Sequence, residues 1–255
     1  MTKRLRQPDW NRVVARLRRG VTAGDRQAMT QLGLTLFEGI QDRRGRALVR
    51  RNPLYAVSLF RRAAHSDATA AASLAYAYDI GAGTRRNTTL ALQWYRRAVR
   101  MGASIAASNL ATVYRAQGKL GLAHRWELRA VDMGDGDAAV TAGYGRLYGI
   151  GVRADAGSAR RLFRRALRSK NISAYGREEA LYHLAVADLD SGQRRRAIRQ
   201  LRRANSDGDY PEAQELLAQL EAGTQATPCR CMRHLNKNLR GHANCPQHPR
   251  TRVSQ

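Results

Sequence analysis

One short residue pattern recurs along most of the chain, and it constrains the fold more than any other feature. Each copy has an alanine or valine, a large residue four positions later, and a small residue directly after that. The five full copies are opened by Ala28 and Leu32, Ala70 and Leu74, Ala106 and Leu110, Val140 and Tyr144, and Ala180 and Leu184, and Ala213 begins a truncated sixth. The copies begin 33 to 42 residues apart. This period is typical of repeat proteins in which each unit buries its apolar face on its neighbours.

Each copy predicts two helices. In the first helix the alanine, the large residue, the small residue and an aromatic lie at i, i+4, i+5 and i+8, which share one face. The second helix has alanines seven residues apart, and they are Ala56 and Ala63, Ala91 and Ala98, Ala123 and Ala130, Ala159 and Ala166, and Ala197 and Ala204. Bulky residues lie between them, such as Trp94 and Tyr95. We therefore expect Trp94 and Ala98 to be buried between neighbouring helices.

The pair of helices resembles the Sel1-like repeat, a relative of the tetratricopeptide repeat. The second copy carries the residues that match best, which are Ala70, Leu74, Tyr78, Gly81, Gly83, Ala91, Trp94, Tyr95, Ala98 and Gly102. The fourth copy supplies Tyr148, Gly149, Gly151, Val152, Asp155, Ala159 and Phe163. Three departures are visible: Gln117 replaces a glycine, Asp188 replaces an aromatic, and a basic insertion separates the two helices of the first copy.

The resemblance implies an all-α solenoid of stacked helix–turn–helix repeats that acts as a protein–protein interaction scaffold or adaptor. Three segments follow from the pattern. Residues 1–24 are expected to form an N-terminal capping helix, residues 25–223 the repeats, and residues 224–255 a basic tail. The repeats hold no constellation of nucleophile, base and acid, so we expect no enzyme activity. Because neither a signal peptide nor a membrane span is recognisable, the sequence predicts a cytoplasmic protein.

The chain is strongly basic, with 45 Lys and Arg residues against 20 Asp and Glu and a net charge of +25. Such a charge favours acidic protein partners or nucleic acid. It is also what a GC-rich genome produces, because lysine codons give way to arginine codons, and only four lysines are present.

Arginine pairs precede the closing alanine of four second helices. They are Arg61 and Arg62, Arg96 and Arg97, Arg164 and Arg165, and Arg202 and Arg203. They would line a stripe for an acidic partner, or they are a solvated face whose stems cover apolar surface. The first helices are mostly uncharged, which favours protein partners. The alternative is a nucleic-acid-binding repeat protein that uses its arginines and its tail.

The tail contains all three cysteines of the chain, interleaved with histidines. Thiolate and imidazole groups together suit Zn²⁺, which takes four such ligands in a tetrahedron. The predicted structural zinc ligands are Cys229, Cys231, Cys245 and His248, with His242 as the substitute. The other interpretation is a basic tail without fixed structure that carries free thiols.

Overall fold

The computed structural model describes residues 8–206 and 210–224 and Pro228, and within this part the fold is all-α. The helices are α1 (Trp10–Thr22), α2 (Arg26–Glu38), α3 (Pro53–Ala63), α4 (Ala68–Ile80), α5 (Thr88–Arg100), α6 (Ser104–Ala116), α7 (Leu120–Asp132), α8 (Gly136–Tyr148), α9 (Ala156–Arg168), α10 (Ala174–Leu189), α11 (Arg194–Ala204) and α12 (Pro211–Glu221). The even-numbered helices from α2 to α10 are the first helices of the repeats, and the odd-numbered helices from α3 to α11 are the second. The predicted helical repeat fold is confirmed. None of the helices described combines the length and the apolar character needed to cross a membrane.

Asp and Asn residues set where most of these helices begin. The side chain of Asp67 accepts a hydrogen bond from the Ala70 amide at 2.7 Å, and that of Asn87 accepts one from the Leu90 amide at 3.0 Å. Asp155 does the same for α9 through the Ser158 amide at 2.9 Å. Each such cap satisfies an amide that has no partner within its helix and is worth about 1 kcal/mol.

The chain divides into two compact units, Met1–Leu110 and Ala111–Gln255, with the boundary inside α6. In the first unit each helix from α1 to α5 packs on the next along the chain. In the second unit the same holds from α7 to α12. The largest side chains of the two cores are fully buried, and they include Leu32, Phe60, Leu74 and Tyr95 in the first unit and Tyr144, Phe163, Leu184 and Leu201 in the second.

The basic insertion of the first repeat folds into a small hairpin that the sequence did not predict. Strand β1 (Ile40–Gln41) pairs antiparallel with strand β2 (Ala47–Val49), and β2 contacts α1. Asp42 holds the turn, because its carboxylate accepts hydrogen bonds from the Arg44 and Arg46 amides at 2.8 and 2.9 Å.

Glycines reveal the true phase of the fourth repeat. A Cβ on Gly33 would lie 2.5 Å from a ring carbon of Phe60, and one on Gly143 would lie 2.7 Å from the matching carbon of Phe163. Gly143 is therefore the small residue that lets the second helix approach. The prediction that Val140 and Tyr144 open this copy was wrong by two residues. Ala138, Ala142 and Gly143 occupy the positions of Ala28, Leu32 and Gly33 in the first repeat. Tyr144 and Tyr148 have the spacing of the pattern but lie two residues out of phase with it.

The burial predicted for Ala98 is confirmed, and that for Trp94 was wrong. Ala98 and Tyr95 are fully buried. Trp94 is only partly buried, with its ring edge-on to His65 at a centroid distance of 5.4 Å. The core-facing positions of α5 are thus Ala91, Tyr95 and Ala98, spaced four and three residues apart. Trp94 lies one residue off this face.

Candidate protein-binding surface

An open groove in the first unit is lined by the faces of first helices. It has a volume of about 660 Å³. Residues of α2, α4 and the start of α6 line it together with Arg51; they are Leu34, Phe37, Glu38, Thr69, Ala72, Ser73, Tyr76, Ile80, Ile105 and Asn109. We call it the apolar groove, because Tyr76, Ile80 and Ile105 line it and are 43%, 49% and 57% exposed.

The sequence of α4 explains why these side chains share a surface. Thr69, Ser73, Tyr76 and Ile80 are spaced three or four residues apart and so lie on one side of the helix. Leu74 and most of the alanines of α4 are buried. The Tyr76 ring packs against Phe37 of α2 at a centroid distance of 6.1 Å, which joins the two helices along the groove.

Few charged groups line the apolar groove. Glu38 and Arg51 are its charged lining residues. The Arg51 Nε donates a hydrogen bond to the Phe37 carbonyl at 3.0 Å, which fixes the side chain in place. The groove therefore combines several apolar side chains with a few polar and charged ones, a composition that is common in protein interfaces.

Five of the eight predicted partner-binding arginines interact within the fold, and the contacts of four of them are as follows. In the first unit, Arg61 donates to the Tyr78 hydroxyl at 3.2 Å, and Arg97 donates to the His65 carbonyl at 2.7 Å. In the second unit, Arg165 donates to the Val131 carbonyl at 2.8 Å and lies 3.2 Å from Asp132. Arg202 pairs with Glu221 at 2.8 Å.

These contacts show a rule that the sequence did not reveal. The second arginine of a pair, Arg97 or Arg165, reaches back to a carbonyl at the end of the preceding second helix, where a cation is favoured by the helix dipole. The first arginine, Arg61 or Arg202, reaches forward to the next first helix. Arg96 also interacts within the fold. Arg62, Arg164 and Arg203 are exposed and have no partner in the part of the chain described.

The second unit contains two ion pairs whose carboxylates are buried, at positions that are apolar or aromatic in most other repeats. Glu127 occupies the position of Phe60, Tyr95 and Phe163, and it is paired with Arg115. His124 lies beside it, with its Nδ1 3.4 Å from a Glu127 oxygen. Asp188, which the sequence marked as a departure, is paired with Arg160 at 3.2 Å. Glu127 and Asp188 are thus each paired with an arginine.

A small cavity of about 20 Å³ adjoins Glu127 and His124. This is room for one water molecule and no larger ligand. The cluster is therefore part of the core and not a binding site for a small organic molecule.

The predicted zinc ligands Cys229, Cys231, Cys245, His248 and His242 lie outside the described residues. Within residues 8–206 and 210–224, no three His, Cys, Asp or Glu side chains come together in a way that could hold a metal ion. The zinc site thus stays a prediction from the sequence.

The fold defines an all-α protein of repeated helix–turn–helix pairs, of the tetratricopeptide-like class. Residues 26–67, 68–102 and 138–171 match the family model of the Sel1 repeat. These three stretches are Sel1 repeats, so the predicted resemblance is confirmed. The three matched stretches are the first, second and fourth repeats, whereas the third and fifth repeats, which carry Gln117 and Asp188, lie outside them.

Two solved structures show the same fold. The Sel1 repeat protein from Oxalobacter formigenes is 24% identical over 71% of this chain and 68% of its own, with a TM-score of 0.56. The protein c5321, a protective antigen present in uropathogenic Escherichia coli strains and displaying an SLR fold, is 22% identical with a TM-score of 0.70. That match covers 87% of this chain and 47% of c5321, so the chain spans about half of that protein. No curated protein matches the chain in sequence.

Proposed function

We propose that this protein is a scaffold or adaptor that binds a segment of a partner protein in the apolar groove. One observation carries the proposal: of six large apolar side chains that are exposed among the described residues, Tyr76, Ile80 and Ile105 lie together in this groove. Apolar side chains gathered in a concavity mark interaction surfaces, whereas single ones do not. Sel1 repeats in general mediate protein–protein interaction, which supports the same role.

The partner segment is expected to be acidic with apolar side chains. The apolar side chains would fill the groove, and acidic residues beside them would meet the positive field of a chain with a net charge of +25. The proposed role is binding and not catalysis.

Nucleic acid is the second candidate, favoured by the same charge. The lining of the groove favours a protein partner over nucleic acid, because Arg51 is its one cationic lining residue. A nucleic-acid reader needs cationic and polar groups along the binding face.

Two variants with equal loss of exposed apolar surface test the groove. The groove variant carries Tyr76→Ser and Ile105→Ser. The control carries Leu54→Ser and Tyr55→Ser, whose native side chains are 73% and 39% exposed and line no part of the groove. Proteins retained by the wild type after nuclease treatment would be identified, and one would be purified and its affinity measured for all three forms.

We expect the groove variant to bind the purified partner at least about tenfold more weakly than the wild type. A loss of this size corresponds to removing one central aromatic or aliphatic anchor. The control should bind as the wild type does. Equal affinity for wild type and groove variant would reject the groove. Retention that disappears with nuclease treatment would favour the nucleic-acid alternative.

The tail is proposed to add a structural zinc site rather than a binding surface. This rests on the four predicted ligands and on no contact in the described part of the chain. Its test is given in the Discussion.

A further inference from the structure

A second concavity of the first unit lies between α1, the end of α2 and the hairpin. Its volume is about 610 Å³, in the range of sites that hold small ligands or peptide side chains. Arg18 of α1 and Arg50, directly after β2, line it, and its floor is aliphatic, with Val14, Leu36, Leu48 and Val49. We call it the basic cleft.

The basic insertion builds one wall of this cleft. The Asn52 amide donates to the Leu36 carbonyl at 2.7 Å, and Arg51 donates to the Phe37 carbonyl, so residues 51 and 52 are fixed to the end of α2. Gly39 allows this close approach: its φ is 72°, and a Cβ there would lie 2.7 Å from the Arg51 Cγ. Arg50 is thereby held at the cleft while its side chain stays exposed.

The positive charge of the cleft is not neutralised by the chain itself. Neither Arg18 nor Arg50 has a partner among the residues that the structure describes. The one carboxylate of the hairpin, Asp42, is engaged in the turn and pairs with Arg46 at 2.8 Å. Hydrogen bonds from Arg46 keep the pKa of Asp42 below its usual value, so it stays bound in that role.

Acidic residues are scarce in the part of the sequence that builds the cleft. Residues 8–52 contain ten arginines and four acidic residues. With arginines in this excess, an acidic group of another molecule would complement the charge of the cleft.

The lining of the cleft distinguishes between anionic partners. Arginine presents a planar fork that binds carboxylate or phosphate through two hydrogen bonds. A nucleic acid strand would also need aromatic faces on which bases stack, and no aromatic side chain is among the lining residues of this cleft. An aliphatic floor between two arginines fits a peptide in which acidic and aliphatic residues alternate.

We propose that the basic cleft binds an acidic segment of a protein, with acidic side chains on Arg18 and Arg50 and an aliphatic side chain on Val14, Leu36 and Leu48. The proposal rests on the proposed function only in that the occupant is a protein. Arg51 lines both the cleft and the apolar groove.

The test uses the full chain and a labelled, end-blocked peptide of six residues with alternating Glu and Leu, followed by fluorescence anisotropy at about 0.1 M salt. The cleft variant carries Arg18→Gln and Arg50→Gln. The control carries Arg164→Gln and Arg203→Gln, which removes the same charge from two exposed arginines of second helices. Circular dichroism verifies that the helix content of both variants equals that of the wild type.

We expect the cleft variant to raise the dissociation constant of the peptide about tenfold or more, because two charge-assisted contacts are lost. The control should change it less than about twofold, the size of a net-charge effect on exposed groups. Equal weakening in both variants would reject the cleft, as would equal binding of a peptide in which Gln replaces Glu. Tighter binding of a single-stranded oligonucleotide of the same charge, lost in the cleft variant, would reject it in favour of nucleic acid.

The groove variant, Tyr76→Ser with Ile105→Ser, separates this inference from the proposed function. If the groove variant still binds the peptide, and if Arg18→Gln and Arg50→Gln weaken that binding as they do in the wild type, the proposal for the cleft is supported. This holds even where no protein partner of the groove is found. If the groove binds a protein but the cleft variant binds the peptide as well as the wild type does, only the cleft is rejected.

Discussion

Arg115 and Glu127 form a buried ion pair at the two positions that Asp79 and Tyr95 occupy in the second repeat. In both repeats the first residue lies near the end of the first helix, and the second lies four residues after the opening alanine of the second helix. In the second repeat, burial raises the pKa of Tyr95, and the carboxylate of Asp79 beside it raises it further. The third repeat replaces this arrangement with opposite charges, so the same pair of positions is filled by different polar chemistry.

The ion pair predicts a strong non-additivity between its two members. Arg115→Met or Glu127→Leu alone leaves one charge buried without a partner and should lower the free energy of unfolding by about 3–5 kcal/mol. The double variant leaves no such charge and should lie within about 1 kcal/mol of the wild type. Urea unfolding of the four proteins measures the coupling.

The exposed pair Arg202–Glu221 is the matched control, since its side chains are 64% and 48% exposed. Its coupling energy should stay below about 1 kcal/mol. If the two single losses at Arg115 and Glu127 simply add in the double variant, the pair does not interact in the way described.

Tyr95 and Trp94 are neighbours that should differ sharply in their effect on stability. Tyr95→Ala removes a fully buried ring and should cost about 3–5 kcal/mol, whereas Trp94→Ala removes a partly exposed one and should cost about 1–2 kcal/mol. Gln93→Ala, at an exposed position, serves as the control for helix α5. A larger loss for Trp94 than for Tyr95 would contradict the helix phase seen in the structure.

Gly83 should be more sensitive to substitution than Gly102, although both have a positive φ. The φ values are 68° and 97°, so alanine is strained at either position by about 1–2 kcal/mol. A Cβ on Gly83 would also lie 2.2 Å from the Pro53 carbonyl oxygen, whereas nothing lies within 4 Å of one on Gly102. Gly83→Ala should therefore cost at least about 1 kcal/mol more than Gly102→Ala in urea unfolding. If both variants lost the same free energy of unfolding, the close approach of Gly83 to α3 would not contribute to stability.

Asp79 and Asp155 should give stability a pH dependence of opposite sign. Burial raises the pKa of Asp79 above 3.8, so its contribution to stability is full below that pH and is lost as pH rises through the higher folded-state value. Hydrogen bonds from Ser158 lower the pKa of Asp155, so its contribution is present above pH 3.8 and is lost as pH falls. Relative to the wild type, Asp79→Asn should gain stability between pH 3.5 and 7, and Asp155→Asn should lose it.

Urea unfolding at several pH values measures both variants against the wild type, so that contributions from all other groups cancel. The two differences should have opposite slopes. Parallel slopes would contradict the assigned environments of the two carboxyl groups.

Packing requirements that act within one repeat could be predicted from the sequence. Steric limits require small residues at positions such as Ala91 and Ala98 and glycine at the ends of α4 and α8. The residue type at these positions therefore indicates the packing directly. Glu127 could not be predicted as a core residue, because an acidic residue on an amphipathic helix is ordinarily exposed and its partner Arg115 lies on another helix. The apolar groove and the basic cleft could not be predicted either. Each of them depends on which side chains of three separate elements come to share one surface.

The zinc site of the tail remains the prediction that rests on sequence alone. Cys229 and Cys231 are followed fourteen residues later by Cys245, with His248 close behind, so the loop to be closed is short and costs little entropy. Residues 224–255 contain few apolar side chains, so metal binding would supply most of the free energy for folding this segment. We expect one Zn²⁺ per chain, and removal of residues 224–255 should abolish it while the helical signal of the repeats persists. Elemental analysis of wild type prepared without chelator, beside a Cys229→Ser and Cys245→Ser double variant, decides the matter: equal zinc in both, or none in the wild type, would rule the site out.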